Sequence, residues 1–165
     1  MADSSIYLTV MDILKSPHFK HSKVIAGNGG LTRIVKWAHI LDITQSKEYV
    51  NGYDFILTTG AGWKSRKDAI NYLIQLIEKN VSALCIQLGL EFNEFRVPED
   101  IPAEMLRAAD SHNFPLIIFP EDHKVRYIDL MHYLHTLIIN QDYKVFLESE
   151  KFLQQYFCSN SILFY

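Results

Sequence analysis

Two hydroxyl side chains and two glycines follow one of the most apolar segments of this chain. The segment Phe55-Ile56-Leu57 leads into Thr58-Thr59-Gly60-Ala61-Gly62. Hydroxyl groups can hydrogen-bond a carbonyl or an anion, and glycines let a ligand approach the backbone closely. Ser65 can begin a helix shortly afterwards, and the N-terminus of a helix favours negative charge. We therefore take this segment as the leading candidate for a ligand site. The alternative is that the glycines serve only a turn and the hydroxyls only cap it.

The known phosphate-binding motifs do not fit the same glycines. Gly60-Ala61-Gly62 could begin a dinucleotide-binding fingerprint, but Ser65 stands where the third glycine is required. Gly62-Trp63-Lys64-Ser65 has the ending of a P-loop, yet Trp63 separates the glycine from the lysine. We expect neither a nucleotide nor any other cofactor to bind here.

The side chains that could ligate a metal or act in catalysis form no recognisable set. His18 and His21, and likewise His132 and His135, stand three residues apart, but no cysteine or HExxH motif accompanies them. No Gly-x-Ser-x-Gly elbow occurs, and spacing assigns no base to either cysteine. The sequence therefore predicts no catalytic residue and no metal site.

Repeated alternation of strands and helices positions the candidate site. A strand ending at Thr58, a helix from Ser65 with Ile70, Leu73, Ile74 and Ile77 on one face, and a strand from Ala83 to Leu88 form one βαβ unit. A helix from Ala103 to His112 and a strand from Pro115 to Phe119 complete a second unit. The pattern predicts an α/β fold with a mostly parallel sheet and flanking helices. Ligands of such folds bind at the carboxyl ends of the strands, here Thr58, Leu88-Gly89 and Phe119-Pro120-Glu121.

The residues before this region predict a short helix and a pair of strands. Thr9 can cap a helix that ends at Ser16-Pro17. The segments 24–26 and 34–41 are joined by Gly27-Asn28-Gly29-Gly30, and a hairpin-like pair is the natural interpretation. Arg33 stands at the entrance of the second strand, where its guanidinium could bind a carboxylate of a ligand or of the protein. We favour an internal partner for Arg33.

A long helix is predicted from about Arg126 to Tyr156, because no Pro or Gly interrupts this stretch. Met131, Ile138, Val145 and Phe152 recur every seven residues. We expect the first half of the helix to pack on the domain. The second half is expected to meet a partner or a following domain.

Composition excludes several classes of protein. The chain has 165 residues, of which 48% are hydrophobic and 21% charged, and its formal net charge is -3. This balance is typical of one soluble globular domain and makes DNA binding by this segment improbable. The longest apolar runs are too short to span a bilayer, and from the acidic residue near the start we expect no secretory signal. Cys85 and Cys158 are expected to be reduced thiols in a cytoplasmic protein.

Several short motifs follow one another in a distinctive order and spacing, namely Leu8-Thr9-Val10-Met11-Asp12-Ile13-Leu14, Ala26-Gly27, Gly30-Leu31-Thr32-Arg33-Ile34-Val35-Lys36-Trp37, Leu57-Thr58-Thr59-Gly60 and Pro115-Leu116-Ile117-Ile118-Phe119-Pro120. Together they resemble the N-terminal domain of PucR-type purine-catabolism transcriptional regulators, and the resemblance covers residues 6 to about 130.

This resemblance implies a sensory module over residues 1–125 and a long helix or linker over 126–165. The linker would lead toward a helix-turn-helix region outside this sequence, through which alone DNA would be bound. It also implies that a small metabolite, such as a purine-breakdown intermediate, is sensed. Together with the strand-end position, it identifies Thr58, Thr59 and Gly60 as candidate ligand-binding residues, and Gly27, Arg33 and Gly89 as further candidates.

Three functions remain open at this point. The first is a sensor in which a ligand shifts the arrangement of the long helix. The second is an interaction module without a ligand, which forms a homodimer through that helix. The third is a small enzyme acting on a ureide or nucleobase, with Thr58, Thr59, Arg33 and His39 as its candidate residues.

Overall fold

A computed structural model describes residues 7–161 of the chain and the side chains of residues 7–158. Its centre is a five-stranded sheet with the strand order β1-β5-β4-β3-β2. Strands β2 to β5 run parallel to one another, whereas β1 is antiparallel to β5. The predicted α/β fold with a mostly parallel sheet is thus confirmed. The strands are β1 (Lys23–Ala26), β2 (Trp37–Ile40), β3 (Asp54–Thr58), β4 (Ala83–Gln87) and β5 (Leu116–Phe119).

Four α-helices flank this sheet, namely α1 (Val10–Leu14), α2 (Arg66–Glu78), α3 (Ala103–Ser111) and α4 (Tyr127–Ser161). Two of them begin at the caps that the sequence predicts. The side chain of Thr9 accepts the Asp12 N–H, and that of Ser65 accepts the Asp68 N–H. Each cap satisfies a backbone donor that the helix itself leaves without an acceptor. None of the described helices combines the length and apolarity needed to cross a membrane.

Both predicted βαβ units are present, and their helices α2 and α3 cover one face of the sheet, while α1 and α4 cover the other. All residues of β3, β4 and β5 are buried, as expected for strands covered on two sides. Helices α2 and α3 supply Tyr72, Leu73, Met105 and Ala109 to the core on one face. Helices α1 and α4 supply Ile13, Leu130, Leu134 and Ile138 to the core on the other face.

The predicted hairpin of the first two strands is wrong, because β1 and β2 lie at opposite edges of the sheet. The glycines between them pack against the residues at the start of β5 instead of forming the turn of a β-hairpin. Gly27 has a φ of +72°, and a Cβ there would lie 1.9 Å from the Phe114 carbonyl oxygen. Only glycine fits such a close approach in this conformation.

The buried face of α2 also differs from the predicted one. The buried residues are Ala69, Tyr72, Leu73 and Leu76, whereas Ile74 is 41% exposed. The hydroxyl of Tyr72 donates to the Leu41 carbonyl at 2.6 Å. This hydrogen bond satisfies the hydroxyl and makes burial of Tyr72 favourable. The buried face of α2 is therefore centred on a tyrosine, which a prediction from apolar residues alone leaves out.

The two halves of α4 have different surroundings. Tyr127, Leu130, Leu134 and Ile138 are buried against the sheet, so the first half packs on the domain as predicted. The apolar residues that recur every seven positions from Met131 to Phe152 do not form one continuous surface. Met131 and Ile138 pack on the domain, whereas Phe152 is 67% exposed.

Candidate functional site

A crevice of about 250 Å³ opens at the carboxyl ends of β3 and β4. The loop after β3, the loop after β4 and the start of α4 enclose it. This is the position at which ligands of parallel sheets bind, and it includes one of the predicted threonines. The lining residues are Thr59, Gln87, Leu90, Phe92, Lys124, Val125 and Tyr127.

The carboxylate of Asp42 holds both threonines of the loop after β3. One of its oxygens accepts the Thr58 hydroxyl at 2.7 Å and the Thr59 backbone N–H at 2.7 Å. The other accepts the Thr59 hydroxyl at 2.9 Å. The hydroxyl hydrogens are therefore used inside the protein, so a ligand meets a pre-organised loop rather than two available donors.

Asn93, in the loop after β4, holds the same loop in place. Its amide NH₂ donates to the Thr59 carbonyl at 2.7 Å, and its amide oxygen accepts the Phe95 N–H at 2.6 Å. Gly60 has a φ of +71°, and a Cβ there would come within 2.5 Å of the Asn93 amide nitrogen. The glycine thus permits the bond that joins the two loops.

Gln87 and Tyr127 connect the strand ends to α4. The Gln87 amide donates to the Leu88 carbonyl at 3.0 Å and accepts the Val125 N–H at 3.1 Å. The Tyr127 hydroxyl donates to the Thr58 carbonyl at 2.7 Å. Burial raises the pKa of the Tyr127 hydroxyl well above its ordinary value, so this group remains a protonated donor. The first turn of α4 is therefore hydrogen-bonded to the loop that lines the crevice.

The exposed lining of the crevice is apolar with one positive charge. Leu90, Phe92 and Val125 supply carbon surface, and Phe92 is 62% exposed. The ammonium group of Lys124 has no hydrogen bond or ion pair within the described residues. Such a surface can hold the faces of a small planar molecule and attract a carbonyl or anionic group to its edge.

The structure divides the six predicted ligand residues between the two ends of the parallel strands. Thr58, Thr59 and Gly60 lie at the carboxyl ends. Gly89 lies there as well, with a φ of +73°, and a Cβ on it would come within 2.5 Å of the Glu121 Cβ. Gly27 and Arg33 lie at the amino ends, so they cannot line the same crevice.

Arg33 is occupied by backbone carbonyls that precede β4 and β5. Its guanidinium donates to the Asn113 oxygen at 3.0 Å, the Val81 oxygen at 3.0 Å and the His112 oxygen at 3.1 Å. It also lies over the Phe114 ring, 5.7 Å from the centroid. The partners are thus internal, as favoured from the sequence, although they are carbonyls and not a carboxylate.

The residues named for a catalytic alternative are not brought together. His39 contacts Asp54 at the start of β3 at 3.1 Å, whereas Thr58 and Thr59 lie at the other end of that strand. Over the part of the chain with described side chains, no three His, Cys, Asp or Glu residues cluster in a way that could hold a metal ion.

Trp63, which follows the loop glycines, is partly buried and packs against the core. Its ring lies 5.3 Å from the ring of Tyr72 and 5.5 Å from that of Phe95, both at steep angles. A residue held on two sides in this way is not placed to close over the crevice.

Sequence reasoning missed four residues that build the site, namely Asp42, Gln87, Asn93 and Tyr127. One indication was present for Asp42, which directly follows the predicted strand ending at Leu41 and so occupies a strand end itself. The other three depend on long-range contacts that local patterns do not encode.

Comparison with known proteins shows the family to which the chain belongs. The model of the purine catabolism regulatory protein-like family, PucR, matches residues 12–138. The purine catabolism regulatory protein of Bacillus subtilis (strain 168) is 30% identical over 114 residues, which are 69% of this chain and 20% of that protein. The transcriptional activator PmfR of Paenarthrobacter nicotinovorans is 25% identical over 112 residues, 67% of this chain and 22% of that protein. The chain thus spans about a fifth of the length of these relatives. Because the family model covers most of the chain, this protein belongs to the purine catabolism regulatory protein-like family.

Proposed function

We propose that this domain is a sensory module of a transcriptional regulator and that a small metabolite binds in the crevice between the loop after β3 and the start of α4. The single observation that carries the proposal is the position of the crevice. It lies at the strand ends and is bounded by Tyr127, the first residue of the long helix. A ligand there contacts both the rigid sheet and the element that leads away from it.

The lining favours a small, flat and polar-edged compound. A volume of about 250 Å³ lies just below the usual range for drug-sized ligands, so one or two fused rings or an open-chain ureide would fill it. Phe92 and Leu90 offer apolar surface, and Lys124 offers a cation to a carbonyl or carboxylate. Because one relative is named for purine catabolism, purine-breakdown intermediates are the first compounds to test.

The mechanism we propose is a shift between two arrangements of α4. The Tyr127 hydroxyl donates to the Thr58 carbonyl, so displacement of the loop after β3 moves the acceptor of that bond. A ligand can shift this equilibrium only by binding one arrangement more tightly than the other. We propose that another part of the regulator binds DNA and that the protein acts in the cytoplasm. No catalytic step is part of this proposal.

Calorimetric titration of the whole chain with purine-breakdown intermediates, from nucleobases to ureides, tests the proposal. We expect saturable binding of at least one compound. Lys124→Ala should weaken an anionic ligand by about tenfold, because one charge-assisted contact contributes about 1.5 kcal/mol. Lys67→Ala is the matched control, since Lys67 is exposed on α2 and does not line the crevice.

Two results would overturn this assignment of the site. One is the absence of binding by every compound to a well-folded sample. The other is binding that Lys124→Ala and Phe92→Ala both leave unchanged. Neither side chain has a described hydrogen bond, so loss of affinity in these variants would not reflect unfolding.

A further inference from the structure

The second half of α4 carries an exposed apolar stripe, which we call the seam. It consists of Ile139, Tyr143, Phe146 and Leu153, whose exposed fractions are 59%, 61%, 56% and 48%. Glu150 occupies the position between Phe146 and Leu153, so the five positions alternate in steps of four and three residues. This spacing is the repeat of helices that pair in a coiled coil.

The seam and the domain-facing residues lie on different sides of α4. At about 3.6 residues per turn, the seam lies roughly 140° around the helix from Tyr127, Leu130, Leu134 and Ile138. Those four residues are buried against the sheet. A second helix can therefore lie along the seam without displacing the domain.

The seam begins at Ile139, directly after Ile138, which is the last buried residue among the described side chains of α4. From there the helix continues to Ser161, a length of about 34 Å at 1.5 Å per residue. Helices in proteins gain most of their stability from the packing of an amphipathic face. Contact along the seam would supply such packing to this part of α4.

We infer that the occupant of the seam is the seam of a second copy of this chain, which makes the protein a homodimer through α4. The positions beside the seam favour such self-association, because Asp142 is the one charged residue among Asn140, Asp142, Leu147, Ser149, Gln154 and Tyr156. No column of like charges opposes two identical helices there, and no charge pattern selects a charged partner.

The size of the seam sets the expected affinity. The exposed parts of its side chains and of the flanking Leu147 and Tyr156 amount to roughly 500 Å² per copy, given about 150–250 Å² for a fully buried aromatic residue. Two copies would bury on the order of 1,000 Å², which is the lower end of specific interfaces. Glu150 weakens the contact further, since it places a carboxylate in an apolar stripe. We expect a dissociation constant on the order of micromolar, as for a weak and transient interface.

Sedimentation equilibrium of the whole chain, without any small molecule, tests this inference with two matched pairs of variants. We expect Phe146→Lys to weaken dimerisation at least about a hundredfold. Phe152→Lys should leave it unchanged, because Phe152 lies roughly 120° away around the helix. Glu150→Leu should tighten the dimer by about tenfold, and Glu148→Leu, on the outer face, should have no effect.

Three outcomes would overturn the homodimer. They are a wild-type protein that stays monomeric to about 200 µM, an equal effect of the two phenylalanine substitutions, and an equal effect of the two glutamate substitutions. All four side chains are exposed, so far-UV circular dichroism should show an intact domain in every variant. The measurement requires no ligand, and its failure would leave the proposed crevice untouched.

Discussion

Removal of the Asp42 carboxylate should destabilise the protein through the loop that follows β3. This carboxylate accepts the Thr58 hydroxyl, the Thr59 hydroxyl and the Thr59 N–H at 2.7 to 2.9 Å. A hydrogen bond to a charged group contributes about 1.5–3 kcal/mol, but the three bonds share one partly exposed acceptor. We therefore expect Asp42→Ala to lower the free energy of unfolding by about 3 kcal/mol, and not by the sum of three full contributions.

A double-mutant cycle with Thr58→Val separates the Asp42 to Thr58 bond from other effects. Thr58 is fully buried, and its hydroxyl oxygen also accepts the Gly60 N–H at 3.1 Å. The single substitution should cost about 1.5 kcal/mol. The double variant should be more stable than the sum of the two losses predicts, by at least about 1 kcal/mol, since the second change removes a bond already broken.

Urea unfolding followed by far-UV circular dichroism measures the free energy of unfolding of the wild type, the two single variants and the double variant. Asp129→Ala serves as a control, because Asp129 is exposed and its ion pair with Arg126 is long at 3.6 Å. That control should change stability by less than about 0.5 kcal/mol. If the losses in unfolding free energy of the two single variants add up to that of the double variant within about 0.3 kcal/mol, Asp42 and Thr58 do not act as one unit.

Three further predictions concern residues outside the crevice. Arg33→Ala should lower the free energy of unfolding by about 3 kcal/mol, because it leaves several carbonyls without donors, and an unchanged urea midpoint would contradict this. In the native protein a thiol reagent should modify Cys158 at once and Cys85 only upon unfolding, since burial raises the pKa of the Cys85 thiol. The pKa of Asp100 is lowered by the backbone N–H of Val97, so the stabilisation it gives is present above the ordinary carboxyl pKa and is lost as pH falls through the lower native value. Carbon-13 NMR of the Asp100 carboxyl should show a midpoint below 3.8, and a midpoint at or above that value would contradict the prediction.

Local patterns were sufficient for the parallel part of the sheet. The buried runs of β3, β4 and β5 and the caps at Thr9 and Ser65 are encoded by neighbouring residues, and each was predictable from the sequence. The strand-end rule also located the crevice at Thr59, because connections in βαβ units bring the carboxyl ends of parallel strands to one edge.

Long-range contacts explain what could not be predicted. A glycine turn between two short strands favours a hairpin, whereas β1 instead pairs with β5 and Gly27 packs on the Phe114 carbonyl. Asp42 finds its hydroxyl partners 16 and 17 residues away, and Tyr127 finds the Thr58 carbonyl 69 residues away. The hydrophobic periodicity of a sequence carries no information about which distant residues form such hydrogen bonds.

An amide NMR titration of the whole chain with the compound that binds most tightly tests directly whether the ligand occupies the crevice. The largest shifts should occur at Thr59, Leu90, Val125 and Tyr127 around the crevice. Amides at the amino ends of the strands, such as Gly27 and Arg33, should stay unchanged. Shifts that cluster at Gly27 and Arg33, with none around the crevice, would contradict the account.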